Sequence, residues 1–134
     1  MKHQFAHRVI YQDTDAEGVV YYANYLGLFE RGRTELLRQR GINVKEFKEK
    51  KGLLFAVTNV NCDYHAPAGY DDELTITTEI AETTPARVTF TQQVLKGGKV
   101  LVAARITLCA LSVNGFRPVR LPLEFSRGKP VELK

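Results

Sequence analysis

Cysteine is scarce in this sequence: two residues, Cys62 and Cys109, with no Cys-x-x-Cys spacing between them. That leaves no zinc ribbon or dithiol redox motif to read, and a reduced, cytoplasmic setting is the expectation. Long apolar runs are also missing. No stretch approaches the roughly 20 residues of a membrane helix. The start, Met1-Lys2-His3-Gln4-Phe5, has no apolar segment behind its basic residue, so no signal peptide is expected. Serine is represented only by Ser112 and Ser126, and no Gly-x-Ser-x-Gly occurs. A Gly-x4-Gly-Lys phosphate loop, a dinucleotide fingerprint and a His-Glu-x-x-His zinc motif are likewise absent. His3 and His7 share a strand face, but two ligands do not make a zinc site, and no metal is expected.

What is present is ordinary for one globular domain spanning residues 1–134. Of the 134 residues, 44% are hydrophobic and 25% charged, enough to bury a core without covalent staples. The net charge of +4 is too small to point to nucleic acid, but suits a ligand carrying phosphates. Phe5 to Tyr11 alternates as a strand does, with Phe5, His7, Val9 and Tyr11 on one face. Asp13-Thr14-Asp15-Ala16-Glu17-Gly18 then breaks the pattern with turn formers.

From about Asn24 to Arg40 the period becomes helical. Tyr25, Leu28, Phe29, Gly32 and Leu36 fall in one arc, flanked by Leu26 and Leu37, with Glu30, Arg31, Thr34 and Arg38 opposite. Asn24 is the best N-cap by chemistry, and Gly41 is a natural residue just past the end. Gly32 on the apolar arc costs helix propensity, which close approach of a sheet would explain. A short helical stretch over Asn43 to Lys50 follows. After Gly52 the pattern is β: Leu53 to Tyr64, Leu74 to Ile80, Val88 to Val94 and Val100 to Leu111, with Lys96-Gly97-Gly98-Lys99 as a hairpin turn. The polar tail from Ser126 to Lys134 is the one loose segment. One helix cannot cover five flat strands, so the expected class is α+β, a curved five-stranded antiparallel sheet wrapped around one long central helix. Apolar residues left on the outer face of the sheet predict a partner subunit.

The segment from Tyr11 to Tyr25 carries the chemistry. Spacing admits two readings. In one, a solvated Asp-rich turn merely caps the helix. In the other, a carboxylate held near free N–H groups at a helix start acts as nucleophile or general base.

This segment, with Asp13-Thr14-Asp15-x-x-Gly18-Val19-Val20-Tyr21, resembles the signature of the 4-hydroxybenzoyl-CoA thioesterase family of hotdog-fold proteins, which includes thioesterases associated with the Tol-Pal system. Phe29-Glu30-Arg31-Gly32-Arg33-Thr34-Glu35 is similar to the family's helix, and Tyr64 to Leu74 to its turn into the third strand. The likeness spans roughly residues 5 to 120. It implies a hotdog fold and hydrolysis of an acyl-CoA thioester, with Asp15 as the catalytic carboxylate and the Tyr22 backbone N–H polarising the carbonyl. Asp13 then organises the loop. Gly18, Val19, Asn24, Tyr25 and Arg87 are the implied substrate contacts. Coenzyme A enters as part of the substrate, no separate cofactor is expected, and a homodimer or homotetramer has its sites between subunits. Glu17 and Tyr22 depart from the Tol-Pal branch, which usually has Gly and His there. The Tyr21-Tyr22-Ala23-Asn24 run is closer to branches acting on aryl-CoA thioesters.

Lys96, Lys99 and Arg117 join Arg87 as candidate phosphate contacts, each also readable as a solvated charge. Arg105, amid apolar neighbours, needs an acid such as Glu35 or Glu79, or room to snorkel. Phe55, Val57 and Val60 could line an acyl tunnel or simply pack the core. The rival class is a non-catalytic acyl-thioester binding protein. A hotdog dehydratase would need a histidine in the loop or helix, and none is there. An RNA-binding domain would need exposed aromatics among basic residues.

Overall fold

The computed structural model describes residues 2–127. The elements run β1 (Lys2–Arg8), a 3-10 turn (Tyr11–Asp13), α1 (Asn24–Gln39), α2 (Val44–Lys51), β2 (Leu53–Tyr64), β3 (Glu73–Thr83), β4 (Arg87–Lys96), β5 (Lys99–Ser112) and α3 (Leu123–Arg127). The strands form one antiparallel sheet in the spatial order β1-β3-β4-β5-β2. The expected strand, helix and four further strands are therefore present. The first strand ends at Arg8 rather than Tyr11, because Tyr11 enters the 3-10 turn. Of the polar tail, Ser126 and Arg127 finish α3, and the rest lies outside the described residues.

Alternation decides which face each strand presents to α1. His3, Phe5 and His7 of β1 pair with Thr78, Ile76 and Leu74 of β3. Val88, Phe90, Gln92 and Val94 continue that face across β4, opposite Leu108, Ile106, Ala104 and Val102. Phe29 and Leu36 of α1 are fully buried against this surface, as are Ile76 and Phe90. Each such side chain contributes roughly 2 kcal/mol of transfer free energy. Helix α1 stops where the C-cap Arg40 hands over to Gly41 at φ +81°, a conformation that favours glycine. Asn43 caps α2 by accepting the Glu46 N–H at 3.1 Å. The Gly97-Gly98 turn has both φ values positive, which the two-residue hairpin requires.

Two packing expectations change. Leu26, on the flank of the apolar arc, is exposed, while Arg33 is buried. Arg33 is tolerated because its Nη1 donates to Gln92 Oε1 at 3.1 Å, and burial lowers the pKa of its guanidinium. The outer face of the sheet is also less apolar than expected, carrying Thr75, Thr77, Thr91, Gln93, Arg105 and a Thr89–Thr107 hydroxyl pair at 2.9 Å. The uncovered apolar side chains lie instead on the helix-facing side of edge strand β2. There Val57, Val60 and Tyr64 are 50%, 43% and 45% exposed, because α1 packs over β1 and β3.

Candidate active site

The Asp-rich segment folds as a small hairpin. Thr14 pairs with Val20, and the Asp15 N–H donates to Val19 O at 3.0 Å. The Gly18 N–H donates to Asp15 O at 3.0 Å and closes a turn that needs Gly18 at φ +82°. Asp15 Oδ1 accepts the Glu17 N–H at 2.9 Å, so the carboxylate sits over the turn and is exposed in the single chain. The hairpin docks on the segment before β3, where Val19 pairs with Gly69 and the Val20 N–H donates to Ala68 O at 2.8 Å. That segment is held in turn by Asp72. Its Oδ2 accepts the Gly69 N–H at 2.8 Å, and Lys96 Nζ lies 3.1 Å from its Oδ1. The amide bond first, then the lysine, holds the Asp72 carboxyl below the usual carboxylate range.

The hairpin returns into the start of α1. The N-cap is Ala23, not Asn24. Asn24 turns its amide backwards instead, and Nδ2 donates to Asp13 O at 2.9 Å. Used as a donor, that side chain ties loop to helix rather than capping a free N–H. Among the described residues the Tyr22 N–H has no acceptor, while the Tyr22 carbonyl accepts the Tyr64 hydroxyl at 3.2 Å. The Tyr25 ring is buried, and its hydroxyl oxygen accepts the Ala68 N–H at 3.3 Å. Tyr22, Tyr25 and Tyr64 form an aromatic corner, with ring centroids 6.1 and 5.8 Å from Tyr64. Burial, then the Cys62 thiol beside it, pushes the Tyr64 hydroxyl up to about 12, so it stays a donor at neutral pH. Burial also raises Tyr25 and Cys62.

Asp13 links the two halves. Its Oδ2 accepts the Ile10 N–H at 2.9 Å and lies 2.9 Å from His7 Nε2, while its carbonyl accepts the Tyr21 N–H at 2.9 Å. His7 was not legible as a partner from spacing. Alternation put it on the inner face, but only the turn after β1 folds Asp13 back onto it.

Asp15, Gly18, Val19, Tyr22, Asn24 and Tyr25 thus belong to one loop and helix start. Arg87 does not join them within the chain. It opens β4 opposite the far end of β3, and the 11 residues of β3 span roughly 35 Å. Arg117 is at that far end too, its carbonyl accepting the Ser112 N–H at 2.8 Å. Lys96 and Lys99 flank the β4–β5 turn at the loop's end of the sheet. Arg105 finds its acid in Glu82, at 3.6 Å, rather than in Glu35 or Glu79. Phe55 packs on Phe125 with centroids 5.1 Å apart, a core role. Among the described residues no group of His, Cys, Asp and Glu could hold a metal ion, and no helix is long and apolar enough to cross a membrane.

Known proteins resemble this chain in sequence and fold. Residues 17–103 match the model of the Thioesterase superfamily. The chain is 38% identical over 120 residues to the acyl-CoA thioesterase YbgC of Haemophilus influenzae, covering 90% of this chain and 88% of that one. A probable thioesterase from Bartonella henselae superimposes with a TM-score of 0.85 at 38% identity, over 91% of this chain and all of that one. A 1,4-dihydroxy-2-naphthoyl-CoA thioesterase from Synechocystis shares the fold, with a TM-score of 0.87 at 17% identity over 94% and 93% of the two chains. The departures at Glu17 and Tyr22 therefore coexist with strong likeness to a YbgC protein. With a matched segment covering most of its length and a curved antiparallel sheet around one long helix, the chain belongs to the Thioesterase superfamily and has the hotdog fold.

Proposed function

We propose that this protein hydrolyses an acyl-CoA thioester, with Asp15 as nucleophile or general base and the Tyr22 N–H polarising the carbonyl. Family membership supports the reaction class, and the name of the H. influenzae relative supports coenzyme A as the leaving group. The observation that carries the reading is the pairing of the Tyr22 N–H, which has no acceptor among the described residues and lies just ahead of the α1 N-cap Ala23, with a hairpin that presents Asp15 from the same loop.

The thioester oxygen gains negative charge as the carbonyl carbon becomes tetrahedral. A backbone donor backed by the positive end of a helix meets that charge, and one such donor contributes about 3 kcal/mol. The leaving thiol has a pKa near ~8.5 by analogy with cysteine, so it departs as thiolate without a dedicated acid. On the nucleophilic route Asp15 forms a mixed anhydride as the C–S bond breaks, and water then cleaves the anhydride. On the general-base route Asp15 takes a proton from the attacking water. No cofactor is needed for either. Lys96 and Lys99 are the cations of this chain placed to meet phosphates near the loop, whereas an Arg87 contact would have to come from a second copy. The uncovered Val57, Val60 and Tyr64 favour such a copy beside β2.

Asp15→Asn should abolish coenzyme A release while leaving ligand binding and unfolding unchanged, measured with a thiol reagent on a panel of acyl-CoA thioesters. Turnover above a few per cent of wild type would refute the role of Asp15. Saturable acyl-CoA binding with no release by the unaltered protein would favour a binding protein instead.

A further inference from the structure

We propose that His7, on β1 and outside the loop motif, is a positioning residue for this site. By holding Asp13 it sets the Asp15 hairpin at a fixed angle to the start of α1. The inference rests on the reading of Asp15 and Tyr22 above.

Asp13 does two jobs with two groups. Its side chain points back to the strand, accepting from the Ile10 N–H and facing His7 Nε2, both at 2.9 Å. As a carboxylate it can only accept, so the imidazole Nε2 is the donor. Its main-chain carbonyl points forward, accepting from the Tyr21 N–H and Asn24 Nδ2, also at 2.9 Å. Asp15 lies two residues beyond Asp13, and Tyr22 one residue beyond Tyr21. The Asp13–Tyr21 pairing therefore sets the distance between the proposed nucleophile and the proposed carbonyl donor.

His7 is the rigid end of this chain of contacts. It pairs with Leu74 inside the β1–β3 ladder. The side chains of His7 and Asp13 are only 17% and 22% exposed, so water competes weakly for the contact. His7 and Asp13 also line an open surface groove of about 370 Å³, together with Gln12, Asn24, Gly27 and Arg31. On that side Asp13 meets open space rather than packed side chains, so without the imidazole it has room to shift. A displacement of about 1 Å in a reacting group can cost on the order of 100-fold in rate.

The test pairs steady-state kinetics with amide hydrogen exchange on the full chain. His7→Ala should lower kcat by roughly 10-fold or more with KM changed far less, the pattern of an interaction expressed in the transition state. His7→Gln, whose Nε2 can donate to Asp13, should restore most of the loss. Exchange at the Tyr21 amide should quicken in His7→Ala and return in His7→Gln. A purely structural histidine would instead lower stability and affect KM and kcat without selective rescue. If His7→Ala keeps kcat within about two-fold of wild type on a substrate that Asp15→Asn no longer turns over, the proposal is overturned and the role of Asp15 stands. Should Asp15→Asn remain active, that role fails, and unchanged Tyr21 exchange in His7→Ala would overturn the clamp on its own.

Discussion

Replacing Gly32 by alanine tests how tightly α1 is seated. On helix propensity alone the change should stabilise by about 1 kcal/mol. The structure predicts the opposite sign. A Cβ at Gly32 would fall inside the van der Waals surface of Thr78 Oγ1 and 3.2 Å from Gln92 Nε2. Thr78 cannot swing away freely, because it is fully buried and its hydroxyl accepts Gln92 Nε2 at 2.7 Å. The same Gln92 donates to Phe29 O at 2.9 Å and receives Arg33 Nη1 at 3.1 Å. Overpacking of this kind costs roughly 1–3 kcal/mol, and stranding a buried donor or acceptor costs roughly as much again. Gly32→Ala should therefore lose about 3 kcal/mol net, or roughly 10 °C in Tm for a chain of this size. Urea and thermal unfolding measure it, provided the unfolding is two-state. A double-mutant cycle isolates the cause: in a Thr78→Ala background the obstructing oxygen is gone, and the same Gly32→Ala change should cost under about 1 kcal/mol. If Gly32→Ala is as stable as wild type, or if its cost survives in the Thr78→Ala background, the close-approach argument is wrong.

The Asp72 clamp should appear as a pH-dependent contribution to stability. Its folded pKa lies below the unfolded carboxylate value of about 3.9, so the stabilisation is complete above that pH and is lost as pH falls through the folded pKa. Asp72→Ala should cost about 1–2 kcal/mol in urea at pH 7, mostly from the Gly69 N–H bond, since the half-exposed Lys96 pair contributes little. The difference from wild type should shrink as pH falls below the unfolded carboxylate value, and a gap independent of pH would refute the assignment. Tyr64 should be among the last tyrosines to ionise. Absorbance titration should show a phase near pH 12 that disappears in Tyr64→Phe, and loss of a phase at the ordinary tyrosine value of about 10 instead would refute the argument from burial and the Cys62 thiol.

Local pattern made much of the fold legible. The alternation in Leu53–Tyr64 predicted β2 to the residue, and the Gly97-Gly98 pair marked a turn whose geometry demands two positive φ values. The helical arc from Tyr25 to Leu36 faced the sheet as its period required, and the cost of Gly32 in that arc correctly pointed to a near neighbour. Periodicity left Arg33 unplaced, because a burial pattern cannot foresee that Gln92, 59 residues away, supplies an acceptor inside the core. Asn24 was misread for a similar reason. Capping chemistry considers the oxygen of its amide, whereas the folded loop uses the nitrogen.

By sequence alone, the Asp15 motif, its Gly18 turn and the helix that follows were determined, since each depends on neighbours a few residues away. Distant pairings were left to the tertiary structure. These are His7 with Asp13 across a reversal of the chain, Asp72 beneath the segment that receives Val19, and Arg87 carried to the opposite end of the sheet. Such contacts arise only when strands find their register, and register is a property of two segments together, which no single stretch of residues encodes.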